Sequence, residues 1–514
     1  LVDTFGLTDV LPHCVLAHVD VQAEVERRDP GSTRLWFQSL AGTDSANRTF
    51  DLSTDKMLRH AAARTGRFGL YLETGQGADF TNGHGHGFDM VLHEARKYGF
   101  ARALARRVAE VRPDGDGPWL HVNDVAGFIG PEVFEEKDQL VRCCLEDLVM
   151  GKLHGLTIGL DVCSTLHMKV SLDDLDECLD RVVPARPAYL MALPTRNDPM
   201  LSYLTTSFQD HVRLRTEHGL RVDDRMAAFF RRLGVVDADD RPTERFGDPL
   251  HVWVRYRREK GDDRPETELR AEGERAIAAV EARGVPIARG HGAKPWDLAP
   301  ALDRRIRALY HDAKESLHAT LDDEWIAAID GAVPLATETT DRDDYVRRPP
   351  AGERLSAAST RTVERLRDAR PTPPAVQVVA SDGLNARAIQ DEGHAVPFLA
   401  ALRAALAEGG VPVADETLVL RGGRVRAGYR IGELLFGRAT DELRRTIVHV
   451  IGERPGSGHH AFSVYVTTAP TYVWAKPGKI DHDATKVVSG VADTALAPED
   501  AARTVAGMVG EGDR

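Results

Sequence analysis

Two carboxylates in the first third of the chain stand where chemistry is most readily built. Glu73 ends the apolar run Gly69–Glu73 and is followed by Thr74-Gly75-Gln76-Gly77, and Asp161 ends the run Leu156–Asp161. Two acids on one rim can hold an ammonium and a hydroxyl together, or work as an acid–base pair. The glycines after Glu73 let backbone approach a small polar ligand closely. Either carboxylate could equally cap neighbouring backbone amides, and spacing alone leaves both alternatives open. Gly83-His84-Gly85-His86 and His459-His460 offer imidazoles. No acidic partner is fixed beside them, so a glycine loop is favoured over a metal site. Gly452-Glu453-Arg454-Pro455-Gly456-Ser457-Gly458 follows the apolar run Thr446–Ile451, where open α/β sheets bind ligands. It is not G-x-G-x-x-G, and Gly478-Lys479 is followed by Ile480. Neither a nicotinamide fingerprint nor a P-loop is present.

Regular elements must position these residues. Short apolar runs at Cys14–Val19, Leu35–Leu40, Gly69–Glu73, Trp119–Val125, Leu156–Asp161 and Ala188–Leu193 alternate with helical patterns such as Met90–Val108 and Lys137–Met150. Strand alternating with helix predicts parallel sheet built from βα units. Polar residues gather at the strand ends: His18 and Asp20, Gln38, Glu73 and Gln76, Asn123 and Asp124, Asp161, then Arg196 and Asn197. In a (β/α)₈ barrel of the TIM type those ends form the functional face. Five or six units are visible rather than eight, and an open doubly wound sheet is the competing arrangement. The expected fold class is therefore α/β: the C-terminal part of a (β/α)₈ barrel, then a Rossmann-like α/β domain.

The expected boundaries follow from composition. Residues 1–254 form the partial barrel with a helical tail, and 255–274, almost wholly charged, form a solvated linker that is helical in part. Residues 275–370 are helical, with patterns at Asp303–Leu317 and Asp322–Ile329. Residues 371–514 form the second sheet, with Val376–Ala380, Thr446–Ile451, Phe462–Thr467 and Thr471–Trp474 as strands and Val396–Glu408 as a helix.

A chain of 514 residues implies two or three compact units. Its net charge of −13 argues against nucleic acid or an anionic membrane as partner, since both need basic surface. No apolar run reaches the roughly 18 residues of a membrane span. The five cysteines lack disulfide-framework spacing and read as reduced cytosolic thiols. The chain opens on Leu1 with Asp3 close behind, which shows no signal peptide and reads as a start inside a longer protein.

Landmarks in order carry a resemblance. CVLAHV from Cys14, FQS from Phe37, YLETGQG from Tyr71, EARKYG from Glu94, GFIGPE from Gly127, LEDLVMGKL from Leu145 and YLTTSFQD from Tyr203 resemble the large subunit of adenosylcobalamin-dependent ethanolamine ammonia-lyase. DDEWIAA from Asp322, YVRRPPAGERLS from Tyr345, VQVVASDGLNARAI from Val376, GRVRAGYRIGELL from Gly423 and GERPGSG from Gly452 resemble its small subunit.

The resemblance implies a lyase that turns ethanolamine into acetaldehyde and ammonia with adenosylcobalamin, a cobalt cofactor. It implies Glu73, Phe128 and Asp161 as substrate contacts, with Glu73 on the hydroxyl and Asp161 on the ammonium. Gln38, Thr81, Met200, Val425 and Glu453 match cofactor contacts. A further contact, a cysteine in the family, falls near Lys479. No Asp-x-His-x-x-Gly is present, so the cofactor would keep its own benzimidazole on cobalt, and no protein metal ligand is expected. The setting implied is cytoplasmic, free or within a bacterial microcompartment, and the assembly a homo-oligomer of fused large and small units. The family carries further barrel strands upstream, with an arginine, a glutamine and an asparagine that grip substrate. Nothing in the chain corresponds to them, so the 514 residues alone are expected to be poorly soluble and inactive. A metal-dependent barrel hydrolase, or a cobalamin-binding or assembly module without catalysis, are the alternatives.

Overall fold

The computed structural model describes residues 2–7, 14–16, 18–28, 35–37, 51–63, 69–74, 90–112, 119–126, 135–197, 203–390, 394–439, 441–452, 455, 460–481, 484–492 and 495–512. Its strands are β1 (Cys14–Leu16), β2 (Leu35–Phe37), β3 (Gly69–Thr74), β4 (Trp119–Val125), β5 (Thr157–Asp161), β6 (Ser164–Thr165), β7 (Tyr203–Leu204), β8 (Ala332–Ala336), β9 (Val376–Ser381), β10 (Val413–Arg421), β11 (Arg444–Gly452), β12 (Phe462–Pro470) and β13 (Thr485–Val491). Helices alternate with them, so the chain is α/β.

In the first part β1 and β2 pair in parallel, and β3, β4 and β5 form a parallel sheet in that order. Side chains of a strand alternate between faces. Leu72, Val122 and Ile158 take one face and are buried against Tyr98 and Ala101 of helix Met90–Val111 and Leu148 of helix Lys137–Leu153. Gly151 lets the second helix close on β5, because a Cβ there would lie 2.7 Å from Ile158 Cδ1. Gln139 Oε1 accepts from the Glu136 N–H at 2.9 Å and fixes where that helix begins.

The second part is a six-stranded sheet in the order β13-β12-β11-β9-β10-β8. β8 through β11 run parallel, and β12 and β13 add antiparallel strands. Val376, Val378 and Ala380 pack beneath helices Ala395–Glu408 and Pro498–Gly512, while Val379 packs beneath helices Ala357–Asp368 and Val425–Phe436. Burial on both faces is why β9 reads as a continuous apolar run.

Several expectations meet a different outcome. Ala188–Leu193 is not a full strand. It lies beside β5 through a single bridge, Leu160 to Leu190, and a second bridge joins Leu193 to Ser207. Pro187 and Pro194 flank it, and neither can donate to a ladder. Thr471–Trp474 is a helical turn rather than a strand. Pro470 precedes it, and the Thr471 hydroxyl donates to the Asp441 carbonyl, turning the chain out of β12. The apolar run from Cys14 gives way to helix at Val19. The region expected to be helical from 275 to 370 also supplies β8. The charged stretch 255–274 is helical over most of its length, in helices Pro249–Glu259 and Glu266–Glu281. Trp253 Nε1 donates to the Leu269 carbonyl at 3.1 Å, and Arg257 and Arg264 both pair with Asp262.

Helix Pro300–His318 joins the two parts. Ile306 lies in the apolar cluster of Leu140, Leu160 and Leu175, whereas Ala313 and Leu317 lie with Leu166, Tyr345 and Val346. Tyr310 and Lys314 donate to the carbonyls of Val170 and Met168 at 3.1 and 2.7 Å. Among the described residues, no helix is long and apolar enough to cross a membrane.

Candidate active site

The face of β3–β4–β5 away from the helices is polar. Residues paired across a parallel sheet share a face. Register pairs Glu73 with Asn123, Asn123 with Gly159, and Val125 with Asp161. Positions 73, 123, 159 and 161 therefore share one face, and His121 joins them two residues before Asn123. Asn123 and Asp161 are buried, at 1% and 3% exposure. The Thr205 hydroxyl donates to Asp161 Oδ1. Burial pushes the His121 imidazole down to about 4, so the ring is neutral near neutral pH. Tyr189 lies 4.5 Å from it, ring centre to ring centre, and its hydroxyl donates to the Val122 carbonyl at 3.2 Å. Gly159 is required beneath the Tyr189 ring, since any Cβ would overlap it.

The segment that delivers Thr205 is held by charge. Arg196 pairs with Asp176 and Asp210, and Asp210 also accepts from the Ser207 N–H and hydroxyl at 2.7 and 2.8 Å. Burial alone would raise the Asp210 carboxyl, but Arg196 and the Ser207 bonds hold it below the usual carboxylate range. An ionised Asp210 caps helix Phe208–Glu217, fixing the residues just before it.

On the helix-covered face Asp124, Cys143 and Asp147 bring donor atoms within 4.8 Å of one another. Asp124 and Asp147 hydrogen-bond to each other, and Tyr98 donates its hydroxyl to Asp147. Two carboxyls so joined share a proton, and burial pushes Asp147 up. Its folded pKa then lies above its unfolded one, so stability falls as pH rises past the ordinary value of 3.8. Asp147→Asn keeps an acceptor for Tyr98 and a donor for Asp124. It is expected to flatten the fall of the unfolding midpoint as pH rises past the ordinary carboxylate value. Parallel curves for the two proteins would exclude the shared proton. Cys143, Cys144, Cys163 and Cys178 are buried and not joined in disulfides. Burial pushes Cys178 up to about 12 and Cys144 well above the usual thiol value, which leaves them protonated and unreactive.

In the second sheet β9 and β10 are neighbours whose outgoing chains turn to opposite faces, the topological switch where open α/β sheets take ligands. Val425 opens helix Val425–Phe436 there and is half-buried. The buried carboxylate of Asp382 accepts from the Gly422 and Gly423 N–H groups at 3.0 and 3.1 Å. Those amides are therefore taken, and no phosphate cradle remains at that turn.

A family model described as ethanolamine ammonia lyase large subunit (EutB) matches residues 1–245, and one described as ethanolamine ammonia-lyase light chain (EutC) matches residues 278–513. The ethanolamine ammonia-lyase small subunit of Bradyrhizobium diazoefficiens is 32% identical over 206 residues, covering 39% of this chain and 72% of that protein. The chain belongs to the ethanolamine ammonia-lyase family. Large- and small-subunit regions stand in one polypeptide. The ethanolamine ammonia-lyase large subunit of Salmonella typhimurium is 37% identical over 244 residues, 46% of this chain and 50% of that protein. That of Escherichia coli K12 is 36% identical over the same length. The chain spans half the length of these large-subunit relatives.

Of the residues matched to ethanolamine ammonia-lyase sites, Asp161 and Val425 are fully described, and Glu73 is placed by backbone and register. Gln38, Thr81, Phe128, Met200 and Glu453 lie outside the described residues, as do His84, His86 and His459. Lys479 is exposed on a turn. His460 lies 3.5 Å from Asp312. Thr205, His121 and Tyr189 emerge only from the structure. Thr205 sits within the YLTTSFQD landmark, which was the signal available for it.

Proposed function

We propose that the chain supplies the substrate carboxylates and cofactor contacts of an enzyme that converts ethanolamine to acetaldehyde and ammonia, with the substrate held on the polar face of β3–β4–β5. The observation that carries this is the shared face of position 73 and the buried Asp161, in a chain matching both subunits of the lyase in order. Two strand spacings across and two residues along put those positions roughly 12 Å apart at the backbone. That leaves room for a molecule a few heavy atoms long between two carboxylates. Asp161 would pair with the ammonium, its geometry fixed by Thr205. Glu73 would accept from the hydroxyl, and Phe128 would close the apolar side. Two fixed contacts on so small a molecule determine which hydrogen faces the reactive centre.

The radical chemistry is supplied by adenosylcobalamin when it is bound. The second sheet suits such a group. Its switch point offers no phosphate cradle, Val425 presents an apolar side chain, and the adjacent Arg424 Nε–H is buried without an acceptor. A macrocycle rimmed with amide oxygens could supply that acceptor. Gln38, Thr81 and Met200 from the first region, and Val425 and Glu453 from the second, would hold it between a TIM-type barrel and a Rossmann-like domain. We place the protein in the cytoplasm or a microcompartment, as a homo-oligomer of fused units.

The test is aldehyde formation from ethanolamine by the chain joined to the part of a large subunit that it does not span and loaded with adenosylcobalamin, with cobalt and zinc measured on the same sample. Aldehyde release with cobalt and no zinc is the expected result. Bound cobalamin without aldehyde would refute catalysis, and zinc with hydrolysis would favour a metallohydrolase.

A further inference from the structure

The turn after β9 touches both loops that lead to the matched cofactor contacts of the second region. Asp382 is 1% exposed, and its two oxygens accept from Gly422 and Gly423, three and two residues before Val425. On its other side the turn meets the end of β11. Leu384 N–H donates to the Gly452 carbonyl at 3.2 Å. Gly383 has φ +53° and its Cβ position overlaps the Gly452 carbonyl, and a Cβ on Gly452 would overlap the carbonyls of Asp382 and Asn385. Only glycine fits at either position, so the two backbones are locked together. Glu453 follows Gly452 in the sequence.

The charge on Asp382 is met from a third element. Arg342 Nη1 lies 3.6 Å from the carboxylate and donates to the Gly383 carbonyl at 3.0 Å, and its Nε and Nη2 donate to the Leu317 carbonyl. Arg342 and Arg424 lie over the Tyr345 ring, at 4.2 and 4.6 Å from its centre. Burial pushes the Asp382 carboxyl up, while Arg342 and the two glycine amides pull it down. Next to Asp382, Ser381 bonds to the buried His449 of β11 at 2.7 Å, and the His449 ring packs against helix Val425–Phe436, where a Cβ on Gly428 would lie 2.6 Å from Nδ1.

We propose that Asp382, with His449 as a second pin, is a positioning residue for cobalamin, setting the Gly422–Val425 turn against the end of β11. This rests on the cofactor reading above, and the residue itself need not touch the ligand. Asn at 382 would turn an N–H toward two N–H donors, losing at least one bond to the turn. His449→Phe keeps a ring of similar size and removes the bond to Ser381 without exposing a charge.

The experiment measures binding of cyanocobalamin to the whole chain by equilibrium dialysis, well below each variant's unfolding temperature. Leu406→Ala, a core change on the far face of the sheet, serves as a variant of lowered stability with an intact turn. Asp382→Asn is expected to weaken binding about tenfold or more, the equivalent of one lost hydrogen bond. His449→Phe should weaken it several-fold, and Leu406→Ala should leave it unchanged. Amide exchange should quicken at 422–428 in the first two variants and not across β9. If Asp382→Asn does not fold, His449→Phe carries the test alone. Unchanged affinity in the variants, or equal loss in Leu406→Ala, would overturn this assignment while leaving the cofactor reading intact. Failure of the unsubstituted chain to bind cyanocobalamin would overturn both.

Discussion

In the full-length enzyme Asp161→Asn is expected to cut kcat/KM for ethanolamine by about two to three and a half orders of magnitude while cobalamin binding survives. Asp161 is 3% exposed, and one oxygen is taken by Thr205. The side chain can pair with an ammonium only if it stays charged. Removing one partner of a buried ion pair costs about 3–5 kcal/mol, and each 1.4 kcal/mol is about tenfold. Asn keeps the volume and the Thr205 acceptor, so folding should be little affected. Thr205→Val should lose about tenfold by the same reasoning, since it removes one hydrogen bond to a charged group. The decisive measurement is kcat/KM beside the cobalamin dissociation constant on each variant. Parallel loss of both quantities would remove Asp161 from the substrate site.

Trp474→Ala is expected to destabilise the second sheet by about 3–5 kcal/mol, the usual range for truncating a buried aromatic. Trp474 is fully buried, lies edge-on to Phe436 at 5.6 Å between ring centres, and donates Nε1–H to the Arg445 carbonyl at 3.1 Å. Gly432 and Gly437 of the neighbouring helix and its cap are pressed against this turn, so neither position has a side chain to fill the cavity. A typical margin is about 5–15 kcal/mol, so a large part of it would be lost. Denaturant unfolding followed by fluorescence of a second-sheet probe measures this. A shift equivalent to less than about 1 kcal/mol would mean that the turn is dispensable.

The strands were legible wherever an apolar run was long and punctuated. β4 lies at its expected bounds, and β3, β5 and β9 within a residue or so, because short apolar runs with polar ends leave their mark locally. Thr471–Trp474 misled because four β-branched and aromatic residues look alike whether they pair in a ladder or wrap once around a buried indole. Ala188–Leu193 misled for a related reason: its apolar residues are real neighbours of β5, yet the flanking prolines restrict the ladder. Asp161 was visible as a strand-end acid. Its partner Thr205 was not, since forty-odd residues intervene and only tertiary structure brings them together. Asp382 likewise looked like one more polar residue in a landmark, because its two acceptor bonds are to backbone atoms of glycines that sequence shows only as a turn.

Helix Pro300–His318, with one stretch in each region's apolar cluster, changes the concentration dependence of assembly. In relatives whose large and small subunits are separate chains, meeting is bimolecular and depends on matched supply. Here both regions are translated from one message in strict one-to-one ratio, and the tether fixes an effective local concentration on the order of millimolar. Substitutions on this helix that would dissociate separate chains at cellular dilution should therefore be tolerated. The contact can drift in sequence so long as it keeps its apolar spacing, and its residues are expected to vary more between fused proteins than between two-chain ones.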